Sequence, residues 1–557
     1  MTTTALSPNA QECVIVISGN RRCRIETTHF ENGVPLCIFH AEQKDAGLFM
    51  AKLREKIDRE TADDAVGEID LSRFVFPPVY FSGISFTKSV TLRKAKFTGY
   101  ASFSGCHLTC KVFEFSDVQV KDGIDFSTTR FESEVVDFRG TSFEGEIVNF
   151  ENAIIKAGDI DFSDANFYGR KNKFTKAKIS SRTTINFSNC NFGGSLVDFT
   201  LAAMDGAQVI FALSTFSSTK TLFSQCSLKA KYLNFRSTLW SSKFVTFVAA
   251  QFITDNGAIA FNESRFSLGD DGAIVWNHAL FECGNLEFMD VIFKGDYLYF
   301  VQTEFRAKLT LFSRAKFCSL ETVFDSAIFE GLETYFQQVK FFGNRTEFNN
   351  TFFNTHTTVF DESVCKGRVL FKGSVLETGD IKPVPSPLSM KNIEVEQEQF
   401  LLFKHMDLSQ TEFKGTDLRK LEFVDVQWCK IVTKTFFIFQ ASRNGIFEEI
   451  LYQKTADILA KQTKDAKYGV RLDRSDRELL RRAYRQLKQS HDDSKNYSGA
   501  GDFYYGEMEQ QRLMLPSYRR NFFSWEMWYR LASGYGQRWG VSLSWILFFF
   551  LAFPLLF

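Results

Sequence analysis

Proline is scarce in this chain, with nine residues in 557. That excludes a collagen-like or proline-rich extended polypeptide, both of which depend on proline to set the backbone. Net charge is missing as well. Sixty-six Lys and Arg balance 66 Asp and Glu, so no basic excess attracts nucleic acid and no acidic excess imitates it. Histidine is limited to His29, His40, His107, His278, His356, His405 and His491. They are scattered, and no nucleophile, histidine and acid gather in the sequence as a catalytic group would. The expectation is a protein that is not an enzyme. The eleven cysteines lack a disulfide-like spacing, which points to a reducing compartment. The N-terminus carries no apolar core of a secretory signal, so none is expected. Long apolar runs are absent until residues 541–557.

Phenylalanine, by contrast, is abundant at 64 residues, and its spacing is regular. From Phe126 it recurs at 138, 150, 162 and 174, then at 187, 199, 211, 223, 235 and 247. The series resumes with Phe261, Trp276 and Phe288 and runs on to Phe371. The step is almost always about twelve residues. Five residues after most of these comes a second large apolar side chain, such as Phe131, Phe143, Phe167 and Phe192. Three residues after is a small one, such as Thr129, Ala153, Ala165, Cys190 and Ser214. A short period over about 300 residues marks a solenoid whose units bury their apolar faces against one another. Twelve residues rich in β-branched side chains suit short strands joined by turns. The fold class is therefore mainly β: a parallel β-helix with Phe stacked on Phe and small residue on small residue. Cys106, Cys190 and Cys226 fall on the small-residue ladder, where a reduced thiol serves as a small hydrophobe.

The unit resembles that of the pentapeptide-repeat family, in which a small residue, Asp or Asn, and Leu or Phe recur every five residues. Ala165-Asn166-Phe167 and Cys190-Asn191-Phe192 fit it. So do Leu408, Phe413, Leu418, Phe423 and Trp428, five apart, with Asp407, Glu412, Asp417 and Glu422 before the first four. The resemblance implies a right-handed, roughly four-sided β-helix. The twelve-residue step departs from the family and reads as five plus seven.

The domains follow from changes in pattern. Residues 1–60 form a small N-terminal module and cap, and 41–61 are polar and helix-like. Residues 74–376 form the long β-helix, 377–402 a proline-containing linker and 403–430 a tandem pentapeptide tract. The insertions at 253–260 and 267–275 read as surface loops. Residues 444–515 are helical, with segments near 445–462, 475–491 and 501–514, and Leu479, Leu480, Tyr484 and Leu487 share one face. The stretch from Tyr484 to Glu509 resembles the connector that joins pentapeptide repeats to a channel-like membrane module in a bacterial group. Residues 516–557 are expected to hold an interfacial helix over 516–535 and then a transmembrane segment. The run 541–557 has no charge, and Trp525, Trp528, Trp539 and four arginines (519, 520, 530 and 538) precede it. Gly534-Tyr535-Gly536 reads as a turn before that helix.

One constellation has metal-ligand character. Cys37-Ile38-Phe39-His40 places a thiol and an imidazole on one tight turn, and Cys13 and Cys23 complete a Cys3His set. Structural zinc is the expected cofactor, supplying folding energy to a segment with little core of its own. His29 is an alternative ligand. The expected function is a non-enzymatic, membrane-anchored scaffold or sensor at a bacterial inner membrane, with the β-helix on the cytoplasmic side. Its expected partners are the membrane, an unidentified protein, and a second copy of the chain. The alternative function, taken from the soluble members of the resembling family, is a DNA mimic that inhibits topoisomerases. It needs a strongly negative surface, which the neutral balance does not supply.

Overall fold

The repeat turns corners because each phenylalanine opens a β-turn. In the computed structural model the Thr129 N–H donates to the Phe126 carbonyl (3.2 Å), and the Ala153 and Ala165 N–H groups donate to Phe150 and Phe162 (both 3.1 Å). The third turn residue lies in the left-handed region: Thr128 at φ 55°, Asn152 at 56°, Asp164 at 61°. Asp125, Asp137, Asn149 and Asp161 stand just before the phenylalanines. Each accepts from the backbone N–H two residues on, at 2.8, 2.9, 3.1 and 2.8 Å, the Asx turn that short polar side chains favour. Leu213 occupies the left-handed position at φ 62° with its side chain 63% exposed. A residue with a Cβ costs about 1–2 kcal/mol there. Leu213→Gly is therefore expected to raise stability by about 0.5 kcal/mol or more after the entropy of glycine is deducted. Urea denaturation measures this, and a loss of stability would contradict the turn.

The structure describes residues 13–15, 23, 25, 27–373, 387–397, 400–434, 440–462, 474–521 and 523–556. They form a mainly β solenoid of about 14 turns with coils of about 24 residues, followed by helices. The chain divides into two compact units, Met1–Thr310 and Leu311–Phe557, and each is described by itself.

In the first unit one coil carries three parallel strands. Arg130–Asp137 pairs with Ile154–Asp161, Ser142–Phe143 with Asn166–Phe167, and Ile147–Asn149 with Lys171–Lys173. Two twelve-residue steps thus make one coil, and one side is a long strand of eight residues. Equivalent rings stack at the strand spacing: Phe138 on Phe162 at 4.7 Å, Phe162 on Phe187 at 4.6 Å, Phe167 on Phe192 at 4.8 Å. Neighbouring columns meet edge to face, as Phe187 and Phe199 do at 87°, the arrangement that ring quadrupoles prefer. Full burial of each ring contributes about 1.5–3 kcal/mol. On the small-residue ladder, hydroxyls satisfy carbonyls of the preceding coil: Thr129 donates to Phe103 (2.7 Å), Thr141 to Phe115 (2.6 Å), Ser214 to Phe187 (2.6 Å). Burial pushes the thiols of Cys190 and Cys226 up, which keeps them protonated and inert. The insertion near 253–260 is not a loop. It is absorbed as a bulge within the ten-residue strand Gln251–Ala260.

In the second unit the same coil continues through the stretch expected to be a linker. Leu388–Ser389, Glu394–Val395 and Leu401–Lys404 pair in parallel with Thr358–Val359, Val364–Cys365 and Val369–Lys372. The prolines at 383 and 385 lie outside the described residues. The pentapeptide tract supplies the last coil: Leu421–Val424 pairs with Leu401–Lys404, and Leu408, Phe413 and Leu418 are buried. Beyond it come α2 (Phe447–Gln462), α3 (Arg474–Asp493) and α4 (Tyr497–Leu513). Leu480, Tyr484 and Leu487 form the buried face of α3, whereas Leu479 is 39% exposed. The last coil exposes strand-edge N–H groups with no further coil to pair them. Side chains of the helices take that place: Glu448 accepts from the Phe413 N–H and Gln486 from the Leu418 N–H (3.3 Å).

The membrane segment departs from expectation. Among the described residues no helix is long and apolar enough to cross a membrane. Residues 516–535 are not one helix but α5 (Ser517–Asn521) and α6 (Trp525–Ser533), divided where Ser524 caps α6. The run 541–557 falls in α7 (Trp539–Leu556), apart from Phe557, which lies outside the described residues. Its 18 residues carry no charge. Its first turns are also engaged with α6, Ser542 donating to Ala532 (3.1 Å) and Trp545 to Leu531 (2.8 Å). Gly534-Tyr535-Gly536 is a turn, with Tyr535 buried and donating to Glu509 (3.0 Å).

Candidate metal centre

The module at the N-terminus is built around a two-residue hairpin. His29–Glu31 and Val34–Leu36 pair antiparallel across Asn32 (φ 50°) and Gly33 (φ 78°). Asn-Gly is the pair that tolerates positive φ at both central positions of a hairpin turn. The second strand delivers the chain to Cys37. There the His40 and Ala41 N–H groups both donate to the Cys37 carbonyl (3.0 and 3.1 Å), closing the knuckle that brings Cys37 and His40 side by side. Cys13 and Cys23 arrive alongside: Cys13 N–H donates to Ile25 (3.3 Å), Val14 N–H to Pro35 (3.4 Å) and Cys23 N–H to Ile15 (2.8 Å).

The result is a buried Cys3His cluster of the residues the spacing singled out. The ligand atoms of Cys13, Cys23, Cys37 and His40 all lie within 4.8 Å of one another. Cys23 Sγ is 3.8 Å from Cys37 Sγ. His40 Nδ1 is 3.1 Å from Cys37 Sγ and 3.4 Å from Cys13 Sγ. Tetrahedral zinc with Zn–S near 2.3 Å and Zn–N near 2.0–2.1 Å requires S···S edges of about 3.8 Å and S···N edges of about 3.5 Å. The sulfur edge matches, and the nitrogen edges agree within a few tenths of an ångström. A disulfide needs sulfurs about 2.05 Å apart, and the cysteines are free. The cluster can therefore hold a metal such as zinc. The hydrogen bond between the two thiols holds Cys23 well below the usual thiol range and pushes Cys37 up, so one thiolate is already favoured before both would be needed. His40 Nε2 is buried with no protein partner among the described residues.

His29 is not part of the cluster; its Nδ1 lies 2.7 Å from the Thr28 hydroxyl. Reading of the sequence missed Lys44. Its ammonium donates to the carbonyls of Ile38 (2.8 Å), Phe39 (3.3 Å) and Val75 (2.6 Å), so it ties the knuckle to the first coil. Burial pulls Lys44 down to about 8. Phe39 stacks on Phe74 at 4.5 Å, and Phe49 of α1 (Ala46–Ala62) meets Phe76 edge to face at 5.6 Å. The metal-type module and α1 thus cover the end of the phenylalanine columns, as a solenoid cap must. A lone lysine in a polar stretch gives no sequence signal for such a role.

Fold and site together define a β-solenoid whose first coil is closed by a Cys3His module. Comparison with known proteins finds no matching family model, no matching curated protein and no matching solved structure.

Proposed function

We propose that this chain is a non-enzymatic scaffold of the pentapeptide-repeat type, a right-handed β-helix, held at a membrane surface by its C-terminal helices and presenting the solenoid to a protein partner. The carrying observation is the exposure of α7. Ile546, Leu547, Phe548, Phe549, Phe550, Leu551 and Phe553 are each more than half exposed, and the helix contains no charged residue. Phe523, Trp525, Trp528 and Trp539 are exposed around its base, the side chains that favour the headgroup region. An apolar patch of this kind marks a site of insertion or docking. Among the described residues no helix is long and apolar enough to cross a membrane, and the reading is burial of this face in the interface and outer hydrocarbon.

Two of the four arginines have other work. Arg530 lies 3.7 Å from Glu509, and Arg538 sits over the Tyr505 ring at 4.9 Å, so these two are held by the protein itself. Reduced cysteines support a cytoplasmic side, and a bacterial inner membrane is the membrane proposed. Vesicle flotation tests the reading. The full chain should float with phosphatidylglycerol-containing vesicles. The variant Ile546→Ser/Phe549→Ser/Phe550→Ser/Phe553→Ser should stay behind, since each side chain contributes about 1.5–3 kcal/mol when buried. A full chain that does not float removes the membrane from the proposal.

A further inference from the structure

Two adjacent glutamates open α2, and their surroundings differ. Glu449 is 3% exposed and fully matched: Arg443 donates to both of its oxygens (2.9 and 2.7 Å), and the Tyr484 hydroxyl donates to it as well. Glu448 is 6% exposed and has no such set. Its Oε1 accepts from the Phe413 N–H at the edge of the last coil, while Oε2 is buried with no partner among the described residues. A single backbone hydrogen bond does not offset the removal of a carboxylate from water.

The charges around Glu448 do not make up the difference. On the coils, Lys391 is paired with Glu412 (2.8 Å), and the two act on Glu448 in opposite directions. Lys414 is exposed and hydrogen-bonded to Tyr452, which stands one turn along α2 and also feels Asp476 of α3. Elsewhere on α3, Arg482 is exposed and pairs with Glu478 (3.2 Å), and Gln486 is neutral. A proton on Oε2 removes the buried charge and leaves Oε1 as the acceptor for Phe413. Burial accordingly pushes Glu448 up to about 7.

We propose that the junction of α2 with the last coil is an acid-tightened clasp, in which protonated Glu448 holds α2 against the strand edge at Phe413 and loss of that proton loosens it. The inference does not depend on the membrane reading. Because the value is raised in the folded state, the stability that Glu448 confers is complete below the usual glutamate range. It is lost as pH rises through about 7. Proton concentration would then set how firmly the helical region is held on the solenoid.

Hydrogen exchange of the full chain, corrected for the intrinsic pH dependence of exchange, reads the clasp. Protection of the Phe413 amide and of the first turns of α2 should fall about tenfold or more between about pH 5 and about pH 7, and level off above that. Glu448→Gln keeps an acceptor for the Phe413 N–H without a charge, and its protection should not fall over this range. Buried His491, which burial pulls down, responds to pH in the opposite sense. It is present in both chains, so the difference between them belongs to Glu448. Tyr452→Lys supplies a counter-charge one helical turn away and should move the fall to lower pH. The same pH dependence in the unmodified chain and in Glu448→Gln overturns the proposal, as does a flat profile in the unmodified chain. If Glu448→Gln does not fold, a fall that Tyr452→Lys leaves unmoved overturns it.

Discussion

Elemental analysis of the purified full chain should return one zinc per molecule, and the Cys37→Ser/His40→Ala double variant should return none. The knuckle residues are the pair to remove because they hold both edges of the cluster: Cys37 Sγ lies 3.8 Å from Cys23 Sγ, and His40 Nδ1 lies 3.4 Å from Cys13 Sγ. Structural zinc contributes about 10–16 kcal/mol to the folding of small modules, far more than residues 13–40 draw from a core of their own. The damage should be graded along the chain. The Lys44 ties to Ile38, Phe39 and Val75 and the Phe39–Phe74 stack connect the cluster to the first coil. Backbone hydrogen exchange should therefore accelerate over residues 27–97 and approach that of the unmodified chain in later coils, because solenoid stability is a sum of nearest-neighbour terms. A metal-free chain as purified, or zinc retained by the double variant, would rule out the assignment. Uniform acceleration through residue 310 would instead show that the first unit unfolds as one block.

The solenoid was legible because its period is a packing rule repeated many times. Every Phe-x-x-small step restates the same turn, so single exceptions such as Trp276 do not blur it. The metal cluster was legible for a different reason: cysteine and histidine at ligand spacing are informative singly, and the Asn32-Gly33 hairpin signals the geometry that presents them. The prolines at 383, 385 and 387 hid the coil that contains Leu388–Ser389 and Glu394–Val395. Two-residue strands with one inward side chain carry too little alternation to outweigh a proline cluster. The closing of the last coil by Glu448 and Gln486 was invisible, since those contacts join backbone to side chains 35 and 68 positions away. The arginines before the apolar run looked alike in sequence. Glu509 and Tyr505, which engage Arg530 and Arg538, lie a helix away and only the fold brings them close.

Ala165→Phe should be among the most damaging single substitutions in the first unit. Ala165 is fully buried on the ladder that runs from Thr141 through Ala165 to Cys190. Its N–H donates to Phe162 (3.1 Å) and its carbonyl accepts from Asn191 (3.0 Å), so the backbone on either side is fixed. The rings beside it already sit at stacking distance, Phe162 on Phe187 at 4.6 Å and Phe167 on Phe192 at 4.8 Å. A benzyl group would have to enter the space those rings fill, and parting the coils would break strand ladders on all three sides. Overpacking by a few methylenes costs about 1–3 kcal/mol, and a whole ring should exceed that range. Asp164→Ala is not a neutral control, although Asp164 is exposed, because its φ is 61° and it accepts from Asn189 (2.7 Å). Lys178→Ala, exposed on a strand one turn along, is the better one and should change stability by about 0.5 kcal/mol at most. Urea denaturation of the three variants, with hydrogen exchange to localise the loss, would decide the matter. An Ala165→Phe chain as stable as Lys178→Ala would mean that the small-residue ladder does not face a filled interior.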